Sequence, residues 1–452
     1  MRNKIIEQSV LFVSVLKWVV LASGIGFVVG VATALFLKLL KASITLTAQN
    51  PYYFYLLPIG LFLSALIVKY VAREAGGYGI ERVIESVHKK AGRIKAIVIP
   101  VKLAATILTA AVGGSVGQIG PCAQIGGGLA SACAELLKFD ENDRKKLVIC
   151  GISAGFSSVL GAPVAGAIFG VEVLFVGSIL YEVLLPSFIS GIIGYHTASI
   201  FGISYFHYTT QIVPTFSEAF FLKIIIAGIF FGICAILFIV TITGIERLSA
   251  KLSIWSPIKG LIGGIILINL TLLFSTRYLG LGLETIHEAL QGIKIVSYAF
   301  LMKTVFTAIT FASGGTGGIV APVLFVGATA GSFFGDCLSL DRATFAAIGF
   351  VSVLAGAANT PIAMSILAIE LFGKEIGAYA AIACVISFLI TGHRSIFHTQ
   401  IIAMKKSSSV DVELGMELSQ TKARFKRRKK SLVDRGLRVL GKKMVDRVNS
   451  EG

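Results

Sequence analysis

Two glycine-rich turns carry the chemistry this sequence offers. Gly113-Gly114-Ser115-Val116-Gly117-Gln118-Ile119-Gly120-Pro121 is echoed 201 residues later by Gly314-Gly315-Thr316-Gly317-Gly318-Ile319-Val320-Ala321-Pro322. Each leads through a proline into an apolar run. Pro121 and Pro322 suit the first turn of a helix, where a missing backbone N–H costs nothing. A helix start carries about half a positive charge and several unpaired N–H donors. At mid-membrane such a start binds an anion without a full charge in lipid, whereas a buried Lys or Arg costs about 2.5–3.5 kcal/mol on insertion scales. Several starts converging on one point make a pathway for a small anion. The competing use of the glycines is close helix packing. A third start, Glu74-Ala75-Gly76-Gly77-Tyr78-Gly79-Ile80-Glu81, favours the anion reading.

The elements that must position these turns are membrane helices. Of 452 residues, 55% are hydrophobic and only 14% charged. Soluble domains carry about 25% charged residues, so the composition excludes an ordinary cytosolic enzyme, a disordered chain and a soluble nucleic-acid binder. Stretches such as Trp18–Leu40, Leu56–Val71, Phe188–Phe201, Phe220–Thr243 and Ile258–Phe274 are long enough to span or nearly so. Others, including Ala96–Ala111, Pro163–Val176 and Pro361–Phe372, are shorter and broken by Gly or Pro. Helices short of ~20 residues exist at membrane depth only with their ends buried in protein or facing water. A second repeat supports a duplicated, broken-helix architecture. Gly151 through Ala162-Pro163 to Glu172 matches Gly349 through Thr360-Pro361 to Glu370, offset by 198 residues. Whether the copies are parallel or inverted stays open at this level.

With the three starts in that order, the chain resembles the CLC chloride channel and transporter family, whose signature segments are G-S-G-I-P, G-[KR]-E-G-P and G-x-F-x-P. Further similarity lies in Tyr278-Leu279-Gly280-Leu281-Gly282, in the Ala-Pro turn before Glu172 and near Gly392, and it runs from about Trp18 to Ile402. The resemblance implies an all-α polytopic membrane protein with two inverted repeats of tilted and broken helices, one pore per subunit, a homodimer, and both termini cytoplasmic in the plasma membrane. The expected organisation is a cytosolic N-terminus (1–17), membrane repeat 1 (18–210), membrane repeat 2 (218–404) and a basic cytosolic tail (405–452). The regulatory domains that follow the membrane part in many members are not expected. Carried over by motif, the anion-binding positions are Tyr78, Gly79, Ile80, Gln118, Ile119, Gly120, Ile319, Val320 and Phe397.

Departures from the family pattern set the expected mechanism. The gating glutamate of G-[KR]-E-G-P is replaced by Ile119, which can neither take a proton nor mimic an anion. The second, inner glutamate of family exchangers falls on Val173. Intramembrane proton relays use Asp, Glu or His, so both proton stations are lost and uncoupled, passive movement of a chloride-type anion is expected. The family serine falls on Tyr78 and the family tyrosine on Phe397. The Tyr78 phenol is expected either to reach toward the hydroxyl missing at Phe397 or to point away, leaving backbone amides to bind. Val320 replaces a family phenylalanine that contributes a backbone N–H.

Other groups carry paired readings. Glu172 and Glu370 are a substitute proton relay or, preferably, structural carboxylates accepting hydrogen bonds at the cytoplasmic helix ends. Glu81 complements a helix dipole or repels an incoming anion. Lys102 draws anions inward or snorkels to an interface. The six cysteines form no C-x-x-C pair, and His196, His207, His287, His393 and His398 show no metal-ligand spacing. No cofactor, metal or enzymatic activity is expected, only a bound chloride or similar ion. From Lys405 onward 14 Lys/Arg oppose 6 Asp/Glu, net +8. That tail orients the protein by the positive-inside rule or adheres to anionic lipid; nucleic acid is not an expected partner. The alternatives to a passive channel or uniporter are an H+/anion exchanger with a rerouted proton path and a non-conducting membrane scaffold or sensor.

Overall fold

The computed structural model describes residues 2–205, 218–421 and 423–425, which hold sixteen α-helices. The first eight are α1 (Arg2–Ala48), α2 (Leu57–Tyr70), α3 (Ile80–Lys89), α4 (Val98–Ala111), α5 (Ile119–Leu136), α6 (Glu141–Leu160), α7 (Pro163–Glu172) and α8 (Leu184–Ile200). The second eight repeat the order: α9 (Glu218–Lys251), α10 (Ser256–Leu273), α11 (Leu283–Leu290), α12 (Ala299–Ala312), α13 (Val320–Cys337), α14 (Arg342–Ala358), α15 (Pro361–Phe372) and α16 (Lys374–Thr391). Seven helical stretches are long and apolar enough to cross a membrane. α1 extends well beyond the expected span at Trp18–Leu40, because no breaker interrupts it between Arg2 and Ala48. The expected tail starts ordered: residues 405–421 lie against the helical body, while most of the basic run Lys422–Lys430 falls outside the described residues.

The same local chemistry builds each copy. Asp140 caps α6 by accepting from Asp143 N at 2.8 Å, and Asp341 caps α14 by accepting from Thr344 N at 2.7 Å. Carboxylates there offset the helix dipole. Gly161 and Asn359 end the same helices in the left-handed conformation, and a proline then opens α7 and α15. α5 crosses α6 backbone to backbone at Gly126 and Gly151. A Cβ on either would lie 2.3–2.4 Å from the other's carbonyl oxygen, and the Gly327–Gly349 pair repeats this between α13 and α14.

Contacts between the copies are reciprocal, the mark of a two-fold relation. Thr109 Oγ1 accepts from Thr316 N, and Thr310 Oγ1 accepts from Ser115 N, both at 3.1 Å. Glu172 accepts from Ile362 N (3.0 Å) and Ala363 N (2.7 Å) at the start of α15. Glu370 accepts from Val164 N (2.9 Å) and Ala165 N (2.7 Å) at the start of α7. These glutamates are therefore crossed helix caps. Their donors come from the start of the opposite copy's helix rather than from the ends of their own.

The copies also run in opposite senses. Near the start of α1, Lys17 pairs with Asp143 at the start of α6. The same face receives the segment after α16: Lys89 pairs with Glu417 at 2.8 Å, and β1 (Phe175–Val176) runs parallel to β2 (Ile401–Ile402). α1 leaves this face. α9 returns to it, setting Phe220 edge-on to Tyr379 at its start and placing Thr243 Oγ1 3.4 Å from His398 Nε2 near its end. The repeats are inverted.

The capping role has a direct consequence. Glu172→Ala leaves the part-buried Ile362 N–H and the buried Ala363 N–H without this acceptor and should cost about 2–6 kcal/mol, at roughly 1–3 kcal/mol per orphaned group. Glu172→Gln keeps an acceptor and should cost less. Thermal loss of the monodisperse peak in detergent should rank wild type above Gln above Ala; equal midpoints would refute the cap.

Candidate anion site

All three glycine turns meet at one point. Gly117 and Gly318 form an antiparallel bridge, Gly117 N to Gly318 O at 2.7 Å and Gly318 N to Gly117 O at 2.8 Å. This joins the segments that lead into α5 and α13. The turn before α3 closes on the same place. A Cβ on Gly79 would lie 2.4 Å from Gly120 O; one on Gly120 would lie 2.3 Å from Tyr78 O and 2.8 Å from the Gly318 Cα. Gly79 itself sits at φ +84°, ψ −73°, a conformation that glycine tolerates. No side chain fits among these three strands of backbone.

The proline at the third position of α5 and of α13 leaves Ile119 and Gly120 in one helix, and Val320 and Ala321 in the other, as first-turn residues whose N–H groups have no helical acceptor. Two of these amides lie beside the Gly117–Gly318 bridge: a Cβ on Gly318 would lie 2.7 Å from Gly120 N, and one on Gly117 3.1 Å from Ala321 N. α3 contributes less than expected: the Ile80 N–H is turned onto Tyr78 O at 3.2 Å.

Two buried lysines brace the turns. Lys102 Nζ donates to Gly77 O at 2.8 Å and to Ala75 O and Gly317 O at 3.2 Å. It thus ties the turn before α3 to the turn before α13. It is fully buried and does not snorkel. Its carbonyl partners, contributed by glycine-rich turns with free main-chain acceptors, replace the water that a membrane-embedded ammonium would otherwise lose. Lys303 is its mate in the second copy, donating to Gly280 O at 2.8 Å and Tyr278 O at 3.1 Å and lying 5.1 Å over the Phe325 ring. Sequence reasoning missed Lys303, although its offset from Lys102 is the same 201 residues that relate the glycine turns.

The side chains around the cradle are apolar and closed to solvent. Tyr78 is 4% exposed, Ile119 2%, and Ile80, Ile319, Val320 and Phe397 0%; Gln118 is half-buried. Val173 is also buried, but it lies at the end of α7, where its carbonyl accepts from Gln400 Nε2 at 2.7 Å. The phenol of Tyr78 has a carboxylate partner. It donates to Glu246 Oε1 at 2.5 Å, with its ring edge-on to Phe311 at 4.8 Å. Glu246, near the end of α9, was outside the expected span at Phe220–Thr243; the visible signal was the Glu246-Arg247 pair closing a long apolar helix. Glu81 turns to the segment after α16, accepting from His398 N at 3.1 Å and lying 3.6 Å from His398 Nδ1. That carboxylate raises the imidazole above its ordinary pKa.

The family model for the voltage gated chloride channel matches residues 60–392. The chain belongs to the CLC family. A chloride/fluoride channel protein of Pseudomonas syringae pv. tomato is 33% identical over 408 residues, covering 88% of this chain and 90% of the relative. A voltage-gated ClC-type chloride channel, ClcB, of Shigella flexneri is 28% identical over 314 residues, 66% of this chain and 74% of the relative. Among solved structures, a CLC-type fluoride/proton antiporter superposes with TM-score 0.81 at 26% identity, covering 85% of this chain and 98% of that one. A slow cyanobacterial Cl-/H+ antiporter shares the fold, with TM-score 0.72 at 21% identity over 83% of this chain and 94% of that one. This CLC protein is thus an anion channel or transporter of the membrane.

Gly120→Ala tests the cradle. Its methyl would meet Tyr78 O and the Gly318 Cα, so the three turns must separate. Anion efflux from liposomes should fall at least about tenfold, the factor for 1.4 kcal/mol, in protein that still elutes as a single peak. Wild-type flux would show that the turns do not line the path.

Proposed function

We propose that the chain is a passive channel or uniporter for chloride-type anions, uncoupled from protons. The observation that supports this most is Ile119, 2% exposed, at the first residue of α5. A residue in that place contributes an amide to the anion and a side chain to its outer side, and an isoleucine side chain can neither accept a proton nor compete as an anion. Binding then rests on main-chain N–H groups of Ile119, Gly120, Val320 and Ala321, in a site walled by Tyr78, Ile319 and Phe397. Neutral donors suit transport, since they bind by dipole and release as readily. The P. syringae relative is named for both chloride and fluoride, so both ions belong in the assay.

The protein is taken to work as a homodimer in the plasma membrane with both termini cytoplasmic, its basic residues beyond Lys405 facing anionic lipid on that side. An exchanger with a rerouted proton path is the second reading. It is favoured by the Tyr78–Glu246 contact and by the two antiporters that share the fold.

Reconstituted protein under a chloride gradient separates the readings. Valinomycin alone should release chloride or fluoride if movement is uncoupled. Release that also needs a protonophore, or acid pumping driven by the anion, would make it an exchanger; no flux for any anion would leave a scaffold. Ile119→Glu should introduce a block relieved by acid. Flux in that variant with the wild-type pH profile would mean residue 119 does not face the anion.

A further inference from the structure

The sequence-derived reading leaves no titratable side chain at the anion site, yet the structure brings one there from α9. Glu246 sits one hydrogen bond behind the Tyr78 phenol, and the Tyr78 carbonyl touches Gly120 in the cradle. Tyr78 is the most enclosed member of this line. The side chains of His398 and Glu81 are 32% and 22% exposed, Glu246 is half-buried, and Tyr78 is 4% exposed. The line therefore runs from the face that carries the segment after α16 to the inner end of the anion site. With Phe397 fully buried and Phe311 packed on its ring, Tyr78 closes that end.

We propose that Glu246 is a positioning residue for an inner gate, holding the Tyr78 phenol across the anion path while ionised and releasing it when protonated. The inference rests on the anion-pathway reading. Its chemistry is a single proton transfer. Ionised Glu246 accepts the phenol's only O–H, so Tyr78 has no donor to offer an anion. Protonated Glu246 becomes a donor itself, and the phenol O–H is freed to turn toward the cradle. The same proton removes a negative charge that repels the incoming ion.

Few other charges face Glu246. They are Glu81 on α3 and His398 after α16, with Arg247 next to it on α9 acting on His398. α12 presents Phe311 and Ala312 there, its one charged residue, Lys303, being held at Tyr278 and Gly280. The charged residues of α13, α14 and α16 lie toward the other end of α9, where Phe220 meets Phe345 and Tyr379 and Phe230 meets Phe334. The Glu81–His398 pair supplies a solvent-facing relay for the proton.

The test is anion efflux from liposomes holding full-length protein, with pH set equal on both sides so that orientation does not matter. Wild-type flux should rise on acidification with a slope of at most about tenfold per pH unit, the limit for one titrating group. Glu246→Gln should be flat, at the acid level of the wild type. Tyr78→Phe, which has no O–H to latch, should also be flat, and Glu246→Asp should restore a pH dependence. A wild type that conducts without pH dependence overturns the gate, as does a Glu246→Gln variant that keeps the wild-type profile. So does a profile abolished by His398→Gln but not by Glu246→Gln. Absence of flux from wild type and all variants at every pH overturns the anion-pathway reading itself.

Discussion

Everything in this molecule hangs on backbone touching backbone at the centre. The Gly117–Gly318 bridge joins the two copies through main-chain hydrogen bonds, and Gly79 and Gly120 pack against it with no room for a Cβ. Helix starts brought this close set dipole ends of like sign side by side, and the proposed function puts an anion among them. Their dipoles add with the same sign, so an anion relieves the repulsion. The two buried lysines reinforce the arrangement. Each donates to loop carbonyls of a glycine-containing turn, which ties the turn to its helix.

The inverted duplication explains how so many broken helices stay in place. Short helices such as α7 and α15 cannot satisfy their own first-turn amides in an apolar medium. Each is capped by a glutamate from the end of the other. The exchange is mutual, so neither copy is complete alone. The threonine pairs at Thr109 and Thr310 repeat that logic beside the central bridge.

The titratable partner of Tyr78 comes from the other copy. Ile119 and Val173, onto which the motif resemblance places the family's two carboxylates, are both buried. A carboxylate on α9, from the second copy, accepts a hydrogen bond from the phenol of Tyr78 in the first. A carboxylate held one side chain back from the anion can alter access without competing for the ion's place.

What the sequence by itself determined is a matter of local chemistry and repetition. The hydropathy required a membrane body, the glycine-proline turns required helix starts with exposed amides, and the matching offsets required two like halves. That Ile119 and Val173 cannot ionise was legible for the same reason, since a side chain's inability to ionise does not depend on where it sits. The partners of Tyr78, Lys102, Glu172 and Glu370 were not legible. Each lies across a helix crossing, and nothing in the spacing along the chain states which crossing will occur. Tyr78 and Glu246 are 168 residues apart. Only the packing of inverted copies, set by small residues that admit backbone contact, decided that this phenol would donate its O–H to a carboxylate on another helix.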